Sequence, residues 1–147
     1  MEQQEPTIWT NMCMIYDDDR IVVLDKVNDS YTGITFPGGH VRKGEPFADA
    51  VIREVEEETG LCIKAPELCG IYNWVREDGI RYVVLLYKAE YFYGELCSSE
   101  EGAVFWIDKK EFLKQKLAHG MDKVFTILEG EPSECFFSLE DGMEYLK

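Results

Sequence analysis

The chain has 147 residues, 46% of them hydrophobic and 13% aromatic, which suits one domain with a core and argues against a disordered chain. Fifteen basic residues against 29 acidic ones leave a net charge of −14, which excludes binding DNA or RNA along a basic surface. It leaves open small polyphosphates, provided divalent cations sit between protein and ligand.

No apolar run reaches the ~18 residues needed to cross a bilayer. The opening "MEQQEPTIWTNMCMIY" is acidic and polar at first and does not read as a signal peptide. The cysteines are Cys13, Cys62, Cys69, Cys97 and Cys135, an odd number without a C-x-x-C pair. They read as reduced, mostly buried thiols of a cytoplasmic protein, not as zinc ligands or disulfides.

Along the chain, "IWTNMCMIY" (8–16) predicts a strand, "DDD" (17–19) a turn and "RIVVLDKV" (20–27) a returning strand. "NDSYTG" (28–33) is a loop. "ITFPGGHV" (34–41) is a short extended piece broken at Pro37-Gly38-Gly39. A helix follows over 46–59, then strands within 61–75, interrupted at Pro66, and within 80–92, joined by a turn at Glu77-Asp78-Gly79. A loop over 93–102 leads to a strand "AVFWI" (103–107). Asp108 predicts an N-cap for a helix "KKEFLKQK", and a last helix covers 120–129. There is no repeat, low-complexity segment or linker, so the whole of 1–147 reads as one domain. Strands interleaved with a few helices imply α/β or α+β character, with a sheet packed between helices.

The 46–59 helix concentrates charge. Pro46 suits its first turn and Gly60 the left-handed position just after it. At about 100° per residue, with Glu54 at 0°, Arg53 falls near −100°, Glu57 near −60° and Glu58 near +40°. Ala48, Val51, Ile52 and Val55 form an apolar stripe beside them, and Glu56 points elsewhere. Carboxylates at i, i+3 and i+4 repel one another, and two of them stand at the negative end of the helix dipole. Such an arc fits either a magnesium site, since hard cations take carboxylate oxygens and share them with phosphates, or a solvated acidic face partly neutralised by Arg53.

Residues 39–61 match the pattern Gly-x5-Glu-x7-Arg-Glu-U-x-Glu-Glu-x-Gly-U, with U a bulky aliphatic residue, at Gly39, Glu45, Arg53, Glu54, Val55, Glu57, Glu58, Gly60 and Leu61. This stretch resembles the Nudix box. The "FPGGH" entry, the upstream hairpin and the downstream "SSEEGAVFW" are similar to the MutT-type branch, over residues 8 to about 129.

The resemblance implies an α/β/α sandwich with a mixed β-sheet and an enzyme that hydrolyses phosphoanhydride bonds in a nucleoside diphosphate linked to another group. It implies Mg2+, or Mn2+, as cofactor. Glu57 and Glu58 match the principal metal carboxylates, and the Gly38 carbonyl is a further candidate ligand. Glu54 is a ligand or an orienter of the attacking water, Arg53 an orienter that pairs with a box glutamate, and Glu45 a brace between loop and helix. Gly39 and Gly60 are structural. The base that takes the proton comes from this helix or from the later loop that holds Glu100 and Glu101.

The box specifies the reaction and not the substrate. MutT-type relatives suggest an oxidised purine triphosphate such as 8-oxo-dGTP, cleaved to monophosphate and pyrophosphate. Asn11, Thr35, Phe36, Trp106 and Asp122 are candidates to hold the base, and His40 to orient phosphate. "IYNWV" and "YFY" read as sheet packing, because no basic residues interleave the aromatics. An ADP-ribose or nucleotide-sugar pyrophosphatase is the alternative enzyme. A non-catalytic nucleotide-binding module is the alternative of another class, disfavoured because Glu54, Glu57 and Glu58 are all present. The expected partner is a small nucleotide, with no nucleic-acid polymer and no membrane, bound by a monomer or homodimer.

Overall fold

The computed structural model describes residues 1–27 and 31–147. Three residues of the loop expected over 28–33 therefore lie outside the described part. The chain orders its elements as β1 (Thr7–Asp17), β2 (Arg20–Lys26), β3 (Gly33–Thr35), α1 (Phe47–Thr59), β4 (Leu61–Lys64), β5 (Glu67–Val75), β6 (Arg81–Ala89), β7 (Tyr91–Gly94), β8 (Gly102–Asp108), α2 (Met121–Leu128), β9 (Glu134–Phe137) and β10 (Glu144–Leu146).

The main sheet is mixed and runs β10-β9-β5-β6-β1-β2-β3, with β8 also on β2. β1 lies parallel to β6 over nine residue pairs, from Thr7 opposite Arg81 to Ile15 opposite Ala89. It meets β2 only at the tip of their hairpin, where Tyr16 faces Ile21 and Asp17 faces Arg20. Below the tip β2 turns away, and the Pro37–Val41 segment takes its place along β1. Cys13 N–H donates to the Pro37 carbonyl, Asn11 N–H to Gly39 and Val41 N–H to Trp9, each at 2.9 Å. This divergence positions the site, since the double glycine is bonded into the sheet exactly where the sheet opens.

Each face of the sheet carries its own core. On one, α1 buries Val51 and Val55 against Cys13, Ile15, Val22, Leu24, Leu85 and Tyr87. On the other, α2 buries Met121, Val124 and Leu128 against Met14, Val23, Tyr72, Val84 and Leu86. The expected α/β/α sandwich is the observed one, because β1 and β6 alternate apolar side chains to both faces and so demand a cover on each. Among the described residues no helix is long and apolar enough to cross a membrane. All five cysteines are free thiols, but contrary to expectation only Cys13 and Cys135 are buried; Cys62 and Cys69 are half-buried and Cys97 is exposed.

Several elements differ from expectation. The 109–114 segment is a single 3-10 stretch whose leading residue Asp108 makes no side-chain cap. A run of six residues is too short to sustain an α-helix without that support. The 80–92 run divides at Glu90, so that Tyr91–Gly94 leaves the main sheet and pairs with β4. The last residues form β9, parallel to β5, and β10 at the sheet edge.

Candidate functional site

Helix α1 begins after Pro46 and ends at Gly60, whose left-handed backbone (φ 79°) lets its N–H return to the Glu56 carbonyl. Its buried residues are Ala50, Val51, Val55, Glu58 and Thr59. Ala48, expected in the apolar stripe, is exposed. On the same wheel Ala48 lies near +120°, between the buried Val55 and Thr59, but in the first turn; at the other edge Ala50, near −40°, is buried, so the buried face is wider than the stripe and reaches into the acidic arc. Part of that arc therefore points into the protein and not into solvent.

Glu58 is 5% exposed and receives the Gly38 N–H at 2.7 Å. Burial pushes its carboxyl up to about 7; the Gly38 N–H and Lys26 oppose the rise, while Glu54 and Glu101 add to it. Glu54 and Glu57 turn toward Arg53, which donates through Nη1 at 2.8 Å to Glu54 and 3.3 Å to Glu57. Arg53 also reaches back to the entry loop, with Nε and Nη2 each donating at 2.9 Å to Glu45 and Nη2 at 3.0 Å to the His40 carbonyl. The Arg53 guanidinium holds the Glu45 carboxyl down to about 2, with help from the Arg42 N–H. Both loop glutamates are exposed, and Glu101 approaches the site through Lys26, at 3.2 Å.

The two glycines fit closely. A Cβ on Gly38 would overlap the Asn11 carbonyl, and one on Gly39 would overlap the Glu54 carboxylate. Gly39 N–H donates to Asn11 Oδ1 at 3.0 Å. That bond fixes the Asn11 amide, whose Nδ2 is buried and has no partner among the described residues.

Beside the double glycine opens a cavity of about 860 Å³, bordered by Asn11, Thr35, Phe36, Gly38, Gly39 and His40 together with Tyr72, Trp74, Tyr82, Arg76, Lys26, His119 and Phe137. Trp74 and Tyr82 stack with ring centroids 4.6 Å apart, and His40 meets Tyr82 edge-on at 6.3 Å. Thr35 is buried with its hydroxyl directed at Met121 Sδ, 3.4 Å away, and Phe36 stacks on Phe112 at 5.0 Å. Trp106 and Asp122 do not border the cavity. Trp106 packs on the α1 side against Phe92, under the Arg20 guanidinium. Asp122 lies in the first turn of α2 and pairs with Lys123 at 3.1 Å. Sequence reasoning missed Tyr72, Trp74 and Tyr82, although the i, i+2 spacing of Tyr72 and Trp74 puts both rings on one strand face.

The NUDIX domain matches residues 8–127 of the chain. The protein belongs to the Nudix hydrolase family. An uncharacterised Nudix hydrolase of Bacillus subtilis, YvcI, is 32% identical over 113 residues, which cover 74% of this chain and 70% of that one. An ADP-ribose pyrophosphatase of Methanocaldococcus jannaschii is 32% identical over 90 residues, 60% of this chain and 53% of the relative. The crystal structure of a MutT protein from Bacillus halodurans superposes with a TM-score of 0.79 at 27% identity, covering 95% of this chain and 97% of the other.

The chain is thus a Nudix hydrolase, a class that cleaves phosphoanhydride bonds in nucleoside diphosphates linked to a further group and generally needs a divalent metal such as Mg2+. The residues present fit such an ion. Glu58 is a carboxylate whose charge is destabilised chiefly by burial and further by its acidic neighbours, and a hard cation would relieve that imbalance. Among the described residues no three acidic, histidine or cysteine side chains form a closed cluster, since Arg53 draws Glu54 and Glu57 to itself. This suits an ion that takes one or two carboxylates and completes its shell with phosphate and water.

Proposed function

We propose that the protein is a Mg2+-dependent hydrolase of nucleoside triphosphates that prefers an oxidised purine such as 8-oxo-dGTP and releases monophosphate and pyrophosphate. One observation carries the reading: Gly38 N–H bonds the buried Glu58 while Gly39 N–H bonds Asn11, so acidic helix and cavity meet at two adjacent peptides. A substrate spanning that point sets its phosphates over α1 and its nucleoside in the cavity.

Glu57 and Glu58, with Glu54 and the Gly38 carbonyl, are the groups that would hold Mg2+, or Mn2+ on the same oxygen donors. When bound, the ion supplies neutralisation of the phosphoanhydride and a more acidic water. Arg53 orients Glu54 and Glu57, and Glu45 holds Arg53 from the loop side. The water's proton goes to a carboxylate, and Glu54 and Glu101 are favoured over Glu100 by their proximity to Glu58. In the cavity, the Asn11 amide N–H, without a partner among the described residues, suits a carbonyl oxygen, and an 8-oxo purine carries one at C8 in addition to the single C6 carbonyl of guanine. Thr35, Phe36 and His40 surround it. Trp106 and Asp122 have no part in this reading.

The deciding experiment is pyrophosphate release from 8-oxo-dGTP beside dGTP, with magnesium and with EDTA. Faster release from the oxidised nucleotide, abolished by EDTA, is expected. A second reading draws on the Methanocaldococcus jannaschii relative, an ADP-ribose pyrophosphatase. Cleavage of ADP-ribose with no release from either triphosphate would replace the first reading with it.

A further inference from the structure

Residues beyond 127 lie outside the stretch matched by the NUDIX domain, yet they complete the cavity. β9 runs parallel to β5, with Tyr72 opposite Cys135 and Trp74 opposite Phe137. Cys135 is fully buried in the α2-side core, so the strand is anchored there, and Phe137, on the same face two residues on, borders the cavity. His119 meets Phe137 edge-on with centroids 5.0 Å apart. From β10, Glu144 accepts the Tyr72 hydroxyl at 2.7 Å. The polar tip of Tyr72 is thereby engaged, and its ring, in edge contact with Trp74 at 5.9 Å, is held in place. Arg76, at the same end, is paired with Asp78 at 2.6 Å. This end of the cavity therefore offers aromatic faces and edges, a surface that recognises a flat ring by stacking and shape. The opposite end, at Gly38 and Gly39, lies against the carboxylates of α1.

We propose that the strand pair Glu134–Phe137 and Glu144–Leu146 is a specificity wall: Phe137 contacts the nucleobase, and Glu144 positions the Tyr72 ring that completes the wall. The proposal rests on the reading that the cavity takes the nucleoside. It assigns base selection to a part of the chain that lies beyond the stretch matched by the NUDIX domain.

The test is calorimetric titration, in EDTA, of AMP, GMP, UMP, CMP and ribose 5-phosphate into the parent protein and three variants. The parent binds at least one of the nucleotides more tightly than ribose 5-phosphate. Phe137→Leu keeps apolar volume and removes the ring; it weakens that nucleotide about tenfold and leaves ribose 5-phosphate unchanged. Phe136→Leu, on the same strand with its side chain outside the cavity, matches the parent. Glu144→Leu frees the Tyr72 hydroxyl and changes the order of preference among the four bases. Should Phe137→Leu not fold, Phe137→Tyr keeps the ring and adds a hydroxyl at the wall; the order among bases then changes while ribose 5-phosphate does not. The proposal is overturned if Phe137→Leu binds all five ligands like the parent or loses all five equally. It is overturned as well if the parent binds ribose 5-phosphate as tightly as every nucleotide. Failure of the hydrolase reading looks different, because the monophosphates then bind while magnesium elicits no cleavage of triphosphates or ADP-ribose.

Discussion

Arg53 grips Glu45 with two parallel donors, Nε to Oε2 and Nη2 to Oε1, each at 2.9 Å. The remaining guanidinium nitrogen serves Glu54 and Glu57. One side chain thus ties the entry loop to the helix and aims two of the three box carboxylates that the helix carries. Lysine cannot do this, since it presents a point charge where a planar fork is needed. Arg53→Lys is expected to lower kcat at least tenfold with KM changed only a few-fold, and to leave the far-UV circular dichroism intact. Equal losses in both constants, or none, would refute the orienting role. Glu45 does not limit the enzyme in mild acid. Its carboxyl is held down to about 2, so its contribution is complete above the ordinary carboxylate range and is lost only as pH falls toward that value.

Glu58 has the opposite sign. Its folded-state value of about 7 exceeds the ordinary 4.5, so between those values the metal-free folded state holds a proton that the unfolded chain has released. Stability is full below the lower value and falls as pH rises through the upper one. The cost at pH 8 without metal is on the order of 3 kcal/mol. Glu58→Gln removes it. In EDTA the variant is expected to melt about 5–10 °C above the parent at pH 8 and close to it at pH 5. Magnesium raises the melting temperature of the parent and not of the variant. An unchanged gap between the two proteins at both pH values would contradict the buried-carboxylate account.

How much of this was legible in the sequence follows from locality. The box residues lie within 23 consecutive positions, and helix periodicity alone brings Arg53, Glu54, Glu57 and Glu58 to one side. The width of the buried face was not legible: Ala48 and Ala50 are the same residue type, yet Ala48 is exposed in the first turn and Ala50, beside the acidic arc, is buried. The cavity wall was hidden for a related reason. β5 and β6 are apolar on both faces, so alternation does not tell which rings meet a helix and which meet open space, and Tyr72, Trp74 and Tyr82 read as ordinary packing. Phe137 was harder still. β9 has four residues, and it is a strand through its pairing with β5, more than sixty positions earlier, and with the short β10. Asp122 and Trp106 were plausible by type, but one lies at the start of α2 beside Lys123 and the other on the far face of the sheet.

Asn11 carries a donor that no described residue engages. Its Oδ1 is committed to the Gly39 N–H, so only Nδ2 can address a ligand. Asn11→Asp preserves the acceptor for Gly39 and replaces the donor by a carboxylate oxygen. The expected result is a fall in kcat/KM of about ten- to a hundredfold, since a donor matched to a substrate oxygen becomes a repulsion. Asn11→Leu loses both bonds and is expected to lower thermal stability as well. Steady-state kinetics with melting curves separates the two effects. Parent-like kinetics in Asn11→Asp would remove Asn11 from substrate recognition.

The two glycines of the entry loop make separable predictions, because different atoms stand where their Cβ would be. At Gly38 the obstacle is the Asn11 backbone carbonyl, on a strand fixed by nine pairs to β6. It cannot yield without moving the sheet, so Gly38→Ala is expected to lower the melting temperature by roughly 5 °C or more. At Gly39 the obstacle is the end of the Glu54 side chain, which can rotate away. Gly39→Ala is therefore expected to keep its melting temperature within about 3 °C of the parent. It loses activity nonetheless, by an order of magnitude or more, because the displaced carboxylate leaves the position in which Arg53 holds it. Thermal melts and kcat measured on both variants decide the matter. If Gly39→Ala were active and Gly38→Ala fully stable, neither close approach would constrain the loop, and the double glycine would owe its place to something other than the packing of Asn11 and Glu54 around it.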